Sequence, residues 1–173
     1  MTFSLYDAVV PNFRQTIGAA IHILGKAEAW ASEQGKSAEE VIGYSLAPDM
    51  LPLGYQVKCL PHHSIGGIDG VRAGQFSPDM KPWPTDFAGL KALLQGADEK
   101  LAALTAADLE ALQDQETAFV FGETRMPFTG ANFLLSFSTP NFYFHATTFY
   151  DILRSKGVAL GKRDFMGRPR LKL

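Results

Sequence analysis

The sequence is poor in cysteine and in long apolar runs. Its single cysteine, Cys59, cannot form a disulfide within the chain, which is typical of a reducing compartment and favours a small core residue. No uncharged apolar run reaches about 18 residues, so no membrane-spanning helix is expected. The N-terminal residues show no basic region followed by an apolar run, which argues against a signal peptide. The sequence therefore predicts a cytoplasmic protein that does not associate with membranes.

Sequence motifs of several enzyme classes are also absent. The chain has no phosphate-binding glycine loop, no dinucleotide fingerprint and no Gly-x-Ser-x-Gly nucleophile elbow. The chain has 16 Lys and Arg residues and 18 Asp and Glu residues, which gives a formal net charge of −2. No global positive field is therefore available to attract nucleic acid.

The C-terminal segment is locally basic. Residues 161–173 carry five Lys or Arg side chains and one acid, Asp164. We expect Phe165 and Met166 to attach this tail to the bundle or to a partner subunit, with the charges in water. Contact with phosphates is the alternative reading of a basic terminus.

Apolar residues recur at helical spacing in four long segments, which predicts an all-α four-helix bundle. The segments are 4–34, 46–74, 86–103 and 130–155. Two short β-prone runs flank Gly122-Glu123 and predict a β-hairpin just before the last long helix. A length of 173 residues fits one domain, residues 1–173.

Capping residues mark the ends of these segments. Ser4 with Asp7, Ser37 with Glu40 and Thr105 with Asp108 have the spacing of capping pairs. Asp49 is expected to cap the second long helix and Thr129 the fourth, which should end at Gly157. Pro61 and Gly66-Gly67 interrupt the second helix and are expected to bend it.

A polar seam is expected to enter the core along the last helix. His145 falls inside the apolar arc that includes Leu135 and Phe142, and Ser138, Asn141 and Thr148 lie on the same side. A buried imidazole without a partner costs about 1–3 kcal/mol. His145 therefore needs a partner, and three roles stay open: a hydrogen-bonded core residue, a ligand-pocket residue or a metal ligand.

Four segments resemble a bacterial family of unknown function within the DinB/YfiT-like four-helix bundles. They are FSLYDAVVPNF, LAPDMLPLGYQV, MPFTGANFLLSFSTPNF and PNFYFHATTFYDILRSKGVALGKRDFMG, and they extend over residues 3–167. The resemblance implies the bundle fold and a homodimer. Some members of this superfamily are metal-dependent hydrolases or thiol transferases, with one metal-binding histidine on the second helix and an H-x-x-x-H pair on the last.

The implied metal set is incomplete in this chain. His145 occupies the place of the H-x-x-x-H pair, but Phe149 and Asn141 stand four residues away on either side. His62 and His63 are the candidates on the second helix, where a regular helix places His62 on the polar face and His63 at its flank. The distance to His145 is then too long for a shared ion, because Zn–N bonds are about 2.0–2.1 Å, unless Pro61 rotates the following turn.

Two functional hypotheses follow. The broken pair favours a small-ligand-binding or interaction protein with a degenerate metal centre and no cofactor, in which Asn141, His145, Thr148 and Asp49 line the pocket. The alternative is a divergent hydrolase or thiol transferase that uses a divalent metal, zinc or nickel, bound by His145 with His63 or His62. Both hypotheses expect a homodimer, and neither expects nucleic acid as a partner.

Overall fold

A computed structural model describes residues 3–172. The first helix, α1 (Leu5–Glu33), begins at the expected capping box. The Ser4 hydroxyl accepts the Asp7 N–H at 3.1 Å, and the Asp7 carboxylate accepts the Ser4 N–H at 3.2 Å. These two bonds satisfy donors that a helix start leaves unpaired. The pair Thr105–Asp108 forms the same reciprocal bonds, whereas at Ser37 only the hydroxyl takes part, accepting the Glu40 N–H at 3.1 Å.

Helices dominate the remaining structure, with one two-stranded antiparallel sheet in the described residues. The elements in chain order are α2 (Ala38–Ile42), α3 (Leu53–His63), α4 (Ile65–Ala73), α5 (Phe87–Ala102), α6 (Ala106–Glu110), β1 (Glu116–Phe121), β2 (Thr124–Thr129), α7 (Gly130–Asn132), a π-helical segment (Phe133–Ser138), α8 (Thr139–Ser155) and α9 (Lys162–Met166).

Four helices enclose the core. Helix α1 packs against α5 and α8, and α3 packs against the same two helices on the other side. Side chains such as Phe13, Leu60, Leu90 and Phe142 are at most 1% exposed between them. The predicted all-α bundle with a hairpin before the last long helix is confirmed. No helix within residues 3–172 is long and apolar enough to cross a membrane.

The second long helix of the prediction, residues 46–74, is two helices in the structure, α3 and α4, and α3 starts later than expected. It begins at Leu53 with Pro52 as N-cap, so Asp49 does not cap it and lies exposed in the preceding turn. It breaks at Ser64, whose φ of −98° and ψ of −95° are not helical, and continues as α4. The Ser64 hydroxyl and N–H both donate to the Leu60 carbonyl, at 2.7 and 3.0 Å, and so close the last turn of α3.

The last long helix contains a π-helical segment that the α-helical wheel did not predict. A π turn has i→i+5 bonds, which rotates the preceding residues relative to α8. Leu135 is therefore 47% exposed rather than part of the apolar arc. Ser138, at the end of the π segment, is buried, and its hydroxyl donates to the His63 carbonyl at 2.6 Å. This bond joins the end of α3 to the start of α8.

The hairpin packs against α4 and α7. Its strands pair from Glu116 opposite Thr129 to Phe121 opposite Thr124, and Gly122 supplies the positive φ of the turn. The segment after α4 adds a parallel bridge through Phe76, whose N–H and C=O bond β1 at 2.8 Å each. This bridge holds the Phe76 ring against the end of α3.

The C-terminal tail is ordered against α1. The Phe165 ring meets Tyr150 edge-on at 5.7 Å, as expected for an attachment point. The Met166 side chain stays 42% exposed, but its carbonyl accepts the Gln15 amide at 2.8 Å. Phe165 and the Met166 main chain, rather than the Met166 side chain, therefore hold the tail.

Candidate functional site

A cavity of about 210 Å³ lies where α3, β1, the π-helical segment and α8 meet. The segment between α4 and α5 closes one side of it with Phe76, Pro78 and Asp79. The rings of Phe76, Phe119 and Phe137 form its apolar wall. The polar lining includes three of the four histidines in the chain: His62, His63 and His145.

His145 has a defined hydrogen-bond partner. Its Nδ1 lies 2.7 Å from the side-chain oxygen of Gln56 on α3, and the Gln56 amide nitrogen donates to the Leu51 carbonyl at 2.8 Å. An amide oxygen can only accept, so Nδ1 carries the proton of the neutral ring and Nε2 keeps its lone pair. No described residue bonds Nε2 of His145. Gln56 thus orients the ring and fixes its tautomer.

His63 packs directly on His145, which corrects the expectation that the two would be too far apart. Their ring centroids are 5.5 Å apart and the planes differ by 15°. Only 8% of each residue is exposed. His63 follows Gln56 by seven residues, or about two helical turns, so both face α8. The prediction aligned the helix on its apolar residues alone and missed this polar stripe.

His62 completes a contiguous set of imidazoles. Its ring meets that of His63 edge-on at 5.2 Å and lies 4.4 Å from the ring of Phe76. Nε2 of His62 and Nδ1 of His63 are buried without a hydrogen-bond partner in residues 3–172. Both nitrogens have almost no accessible surface, so they face packed side chains rather than the open space of the cavity.

Burial keeps the histidines neutral. It lowers the pKa of His63 to about 3, with a further contribution from His62 and His145, and it lowers the pKa of His145 to about 4. The pKa of His62 is lowered for the same reason. At neutral pH the cavity therefore presents uncharged imidazoles, which can accept hydrogen bonds but cannot pair with an anion.

The one lysine on the cavity wall is already occupied. The ammonium of Lys58 donates to the carbonyls of Asp79, at 2.7 Å, and Lys81, and lies 3.5 Å from the Asp79 carboxylate. It is 7% exposed. These contacts secure the segment that closes the cavity. They also neutralise the charge, because ammonium and carboxylate are paired.

Cys59 is a poor nucleophile here. Burial raises the pKa of its thiol to about 11 and that of the neighbouring Tyr55 hydroxyl to about 12. The reactive form of cysteine is the thiolate, which is scarce at neutral pH when the pKa is so high. The cavity therefore offers no activated thiol.

The structure brings together some of the predicted site residues. Asn141, His145, His63 and His62 all line the cavity. Thr148 lies further along α8, where its hydroxyl donates to the Phe144 carbonyl at 2.8 Å, and Asp49 is exposed before α3. Gln56 was missed, although its seven-residue spacing from His63 is a signal that could have found it.

Comparison with known proteins gives the family. Residues 5–166 match a family described as a domain of unknown function, DUF1993. The chain belongs to the DUF1993 family. No curated protein matches it.

A solved structure resembles this DUF1993 chain closely. It is the crystal structure of a DinB family member protein from Shewanella denitrificans, with 26% sequence identity and a TM-score of 0.84. The match covers 98% of this chain and 95% of the other. The predicted resemblance to a DinB-like family of unknown function is thereby confirmed.

The donor set does not fit the three-histidine metal centre that the fold suggests. Within residues 3–172, no group of three or more His, Cys, Asp or Glu side chains is placed to hold one ion. Two rings stacked face to face at 5.5 Å do not converge on a single point. The tautomer of His145, held by Gln56, would suit a metal ligand, but it equally suits a hydrogen-bond acceptor.

Proposed function

We propose that this DUF1993 chain binds a small uncharged organic molecule in the cavity at His145. In this proposal the metal centre of the superfamily is degenerate and the cavity serves as a ligand pocket. The observation that carries the proposal is the oriented ring of His145 on the cavity wall, whose Nδ1 is held by Gln56 and whose Nε2 has no hydrogen-bond partner within residues 3–172. Asn141 and His63 are the further proposed contacts. The fold supports such a site, because bundle cores are a common place for ligand cavities.

The lining selects the class of ligand. Three neutral imidazoles and a paired Lys58 leave no free charge to recognise an ion. The rings of Phe76, Phe119 and Phe137 favour an apolar or aromatic body. Ligand pockets usually measure about 300–1,000 Å³, so 210 Å³ suits a ligand of one ring. A ring with one hydrogen-bond donor matches the lone pair on His145.

The test compares phenol with toluene, which differ only in the donor group. In ligand-observed NMR titrations we expect the wild type to bind phenol saturably and about fivefold to tenfold more tightly than toluene, since a hydrogen bond contributes about 1 kcal/mol. Gln56→Leu releases the His145 tautomer while keeping the ring, so the preference for phenol should fall towards unity. His145→Phe should abolish it.

Thr148→Val is the matched control on the same helix. Thr148 is buried outside the cavity, so this variant is expected to keep the preference for phenol. Absence of saturable binding of either probe to the wild type would contradict the proposal. So would an unchanged preference in both the Gln56 and the His145 variants.

The metal-dependent hydrolase or thiol transferase is the competing function, with His145, His63 and His62 as the proposed ligands. The contact between His63 and His145 favours it, and the lack of a converging third donor opposes it. Elemental analysis of tag-free protein purified without chelator decides between the two. Near-stoichiometric zinc or nickel that disappears in His145→Phe would replace the ligand proposal with this one.

We further propose that the protein acts as a homodimer in the cytoplasm. The DinB-like resemblance supports the dimer, as do Leu135 and Phe144, which are exposed by 47% and 56% near the last helix. The single thiol, Cys59, supports a reducing compartment. Light scattering should give about twice the chain mass of 18.9 kDa. A mass of one chain at micromolar concentration would contradict the dimer.

A further inference from the structure

A second and larger cavity lies between α1 and the C-terminal tail. Its volume is about 670 Å³. Helix α1 contributes Arg14 and His22 to its wall, and the tail contributes Arg163 and Arg168. None of these residues takes part in the cavity at His145, so whatever this second site binds is independent of the function proposed above.

The tail is held in place by contacts that do not use Arg163 or Arg168. The Asp164 carboxylate accepts from Lys26 at 3.0 Å and lies 3.1 Å from the His22 ring. Further along the tail, Arg170 donates to the side-chain oxygen of Asn12 at 2.7 Å. Both ends of the tail segment are therefore anchored to α1, and the cavity between them has a defined wall.

The cavity carries an excess of positive charge. Its one acidic lining residue, Asp164, is engaged by Lys26, and Arg14 is paired with Asp98 through bonds of 2.8 and 3.2 Å. Arg163 and Arg168 are exposed and take part in no ion pair within residues 3–172. Two uncompensated guanidinium groups thus face one cavity, in a chain whose formal net charge is −2.

Small residues keep the floor of this cavity open. Gly18 on α1 lines it, and nothing lies within 4 Å of the position that a Cβ would take there. Gly167 adopts a φ of +63°, which favours glycine, and a Cβ there would stand 3.2 Å from Cβ of Ala19. The tail backbone therefore approaches α1 closely at one end of the cavity, while space remains above Gly18.

We propose that this cavity binds a small molecule bearing a phosphate group, with Arg163 and Arg168 as the phosphate ligands. Guanidinium groups present paired N–H donors that match the geometry of phosphate oxygens. The volume exceeds what a free phosphate ion would fill, so the remaining space, over Gly18, accommodates the organic part of the ligand. The cavity recognises a phosphate group, which both a free phosphate ion and a phosphate ester carry.

Calorimetric titrations with inorganic phosphate, AMP and adenosine test this assignment. We expect saturable binding of both phosphate and AMP, and none of adenosine, which lacks the charge. The double variant Arg163→Gln/Arg168→Gln should weaken the binding of phosphate and of AMP by about tenfold or more. Each charge-assisted hydrogen bond that is lost reduces the binding free energy by its own contribution. Tighter binding of AMP than of phosphate would identify an ester as the fitting ligand. Equal affinities would identify the free ion.

A charge-matched control separates a site from diffuse attraction. Arg125→Gln/Arg154→Gln removes the same two charges from exposed positions outside this cavity and should leave both affinities unchanged. Equal weakening in the two double variants would overturn the proposal, because only net charge would then matter. Failure of the wild type to bind either phosphate or AMP would overturn it as well. Phenol binding to the wild type tests the His145 cavity separately, so either proposal can fail alone.

Discussion

Lowering the pH from 7 to 5 is expected to reduce the free energy of unfolding by about 3–4 kcal/mol through His63 and His145 alone. Burial lowers the pKa of these groups from the ordinary 6.5 to about 3 and about 4. Below pH 6.5 the unfolded chain takes up these protons while the folded chain does not. Stability therefore falls with pH through this window, and the loss levels off once the folded-state pKa values are reached.

Chemical denaturation of the wild type and His63→Phe at both pH values measures this effect. Removing one of the two groups should remove about half of the pH-dependent loss, since each contributes a similar share above its folded pKa. Leu90→Ala is the control, because Leu90 is buried on α5 outside the cavity and carries no titratable group. Its stability should be lower at both pH values by the same amount. An unchanged pH dependence in His63→Phe would show that His63 is not held neutral by burial.

Gly130→Ala is expected to destabilise the fold by about 3 kcal/mol, at the upper end of what overpacking usually costs. A Cβ at Gly130 would stand 2.0 Å from the Leu112 carbonyl oxygen and 2.8 Å from a methyl group of Val71. The Gly130 N–H bonds the Gln115 carbonyl at 2.8 Å, so the backbone cannot retreat without breaking that bond. This glycine is where the hairpin, α4 and the start of the last helical segment meet.

Gly25→Ala on α1 provides the opposite result. Nothing lies within 4 Å of a Cβ at Gly25, and alanine is favoured over glycine inside a helix by about 0.5–1 kcal/mol, so this variant should be more stable than the wild type. Thermal and urea unfolding of the two variants measure the contrast. Equal stabilities for Gly130→Ala and the wild type would mean that the junction between hairpin and bundle is loose.

Local patterns predicted most of the secondary structure. Helix α1, the cap at Thr129, the hairpin at Gly122 and the end of the last long helix near Gly157 all agree with the prediction. Each depends on residues within one or two turns of one another, such as the hydroxyl and carboxylate of a capping box. Such signals can be seen without knowing how the elements pack.

The prediction was wrong where packing overrides helical period. The prediction began the second long helix at Asp49 and expected Pro61 and Gly66-Gly67 to interrupt and bend it, whereas α3 starts at Leu53 and breaks at Ser64, between those positions. It also assumed an α-helical period across Leu135, where the structure has a π-helical segment. Both irregularities face each other and are joined by the bond from Ser138 to the His63 carbonyl. A contact between residues 75 positions apart leaves no local trace in the sequence.

The sequence by itself determined that this protein is a four-helix bundle with a hairpin, and that His145 is buried with a partner. Helical period, capping residues and the cost of burying an unpaired imidazole are properties of short stretches of chain. Only the tertiary structure decided that the partner is Gln56 and that His63 packs on the same ring. Those contacts depend on the relative rotation of α3 and α8, which the break at Ser64 and the π-helical segment set together.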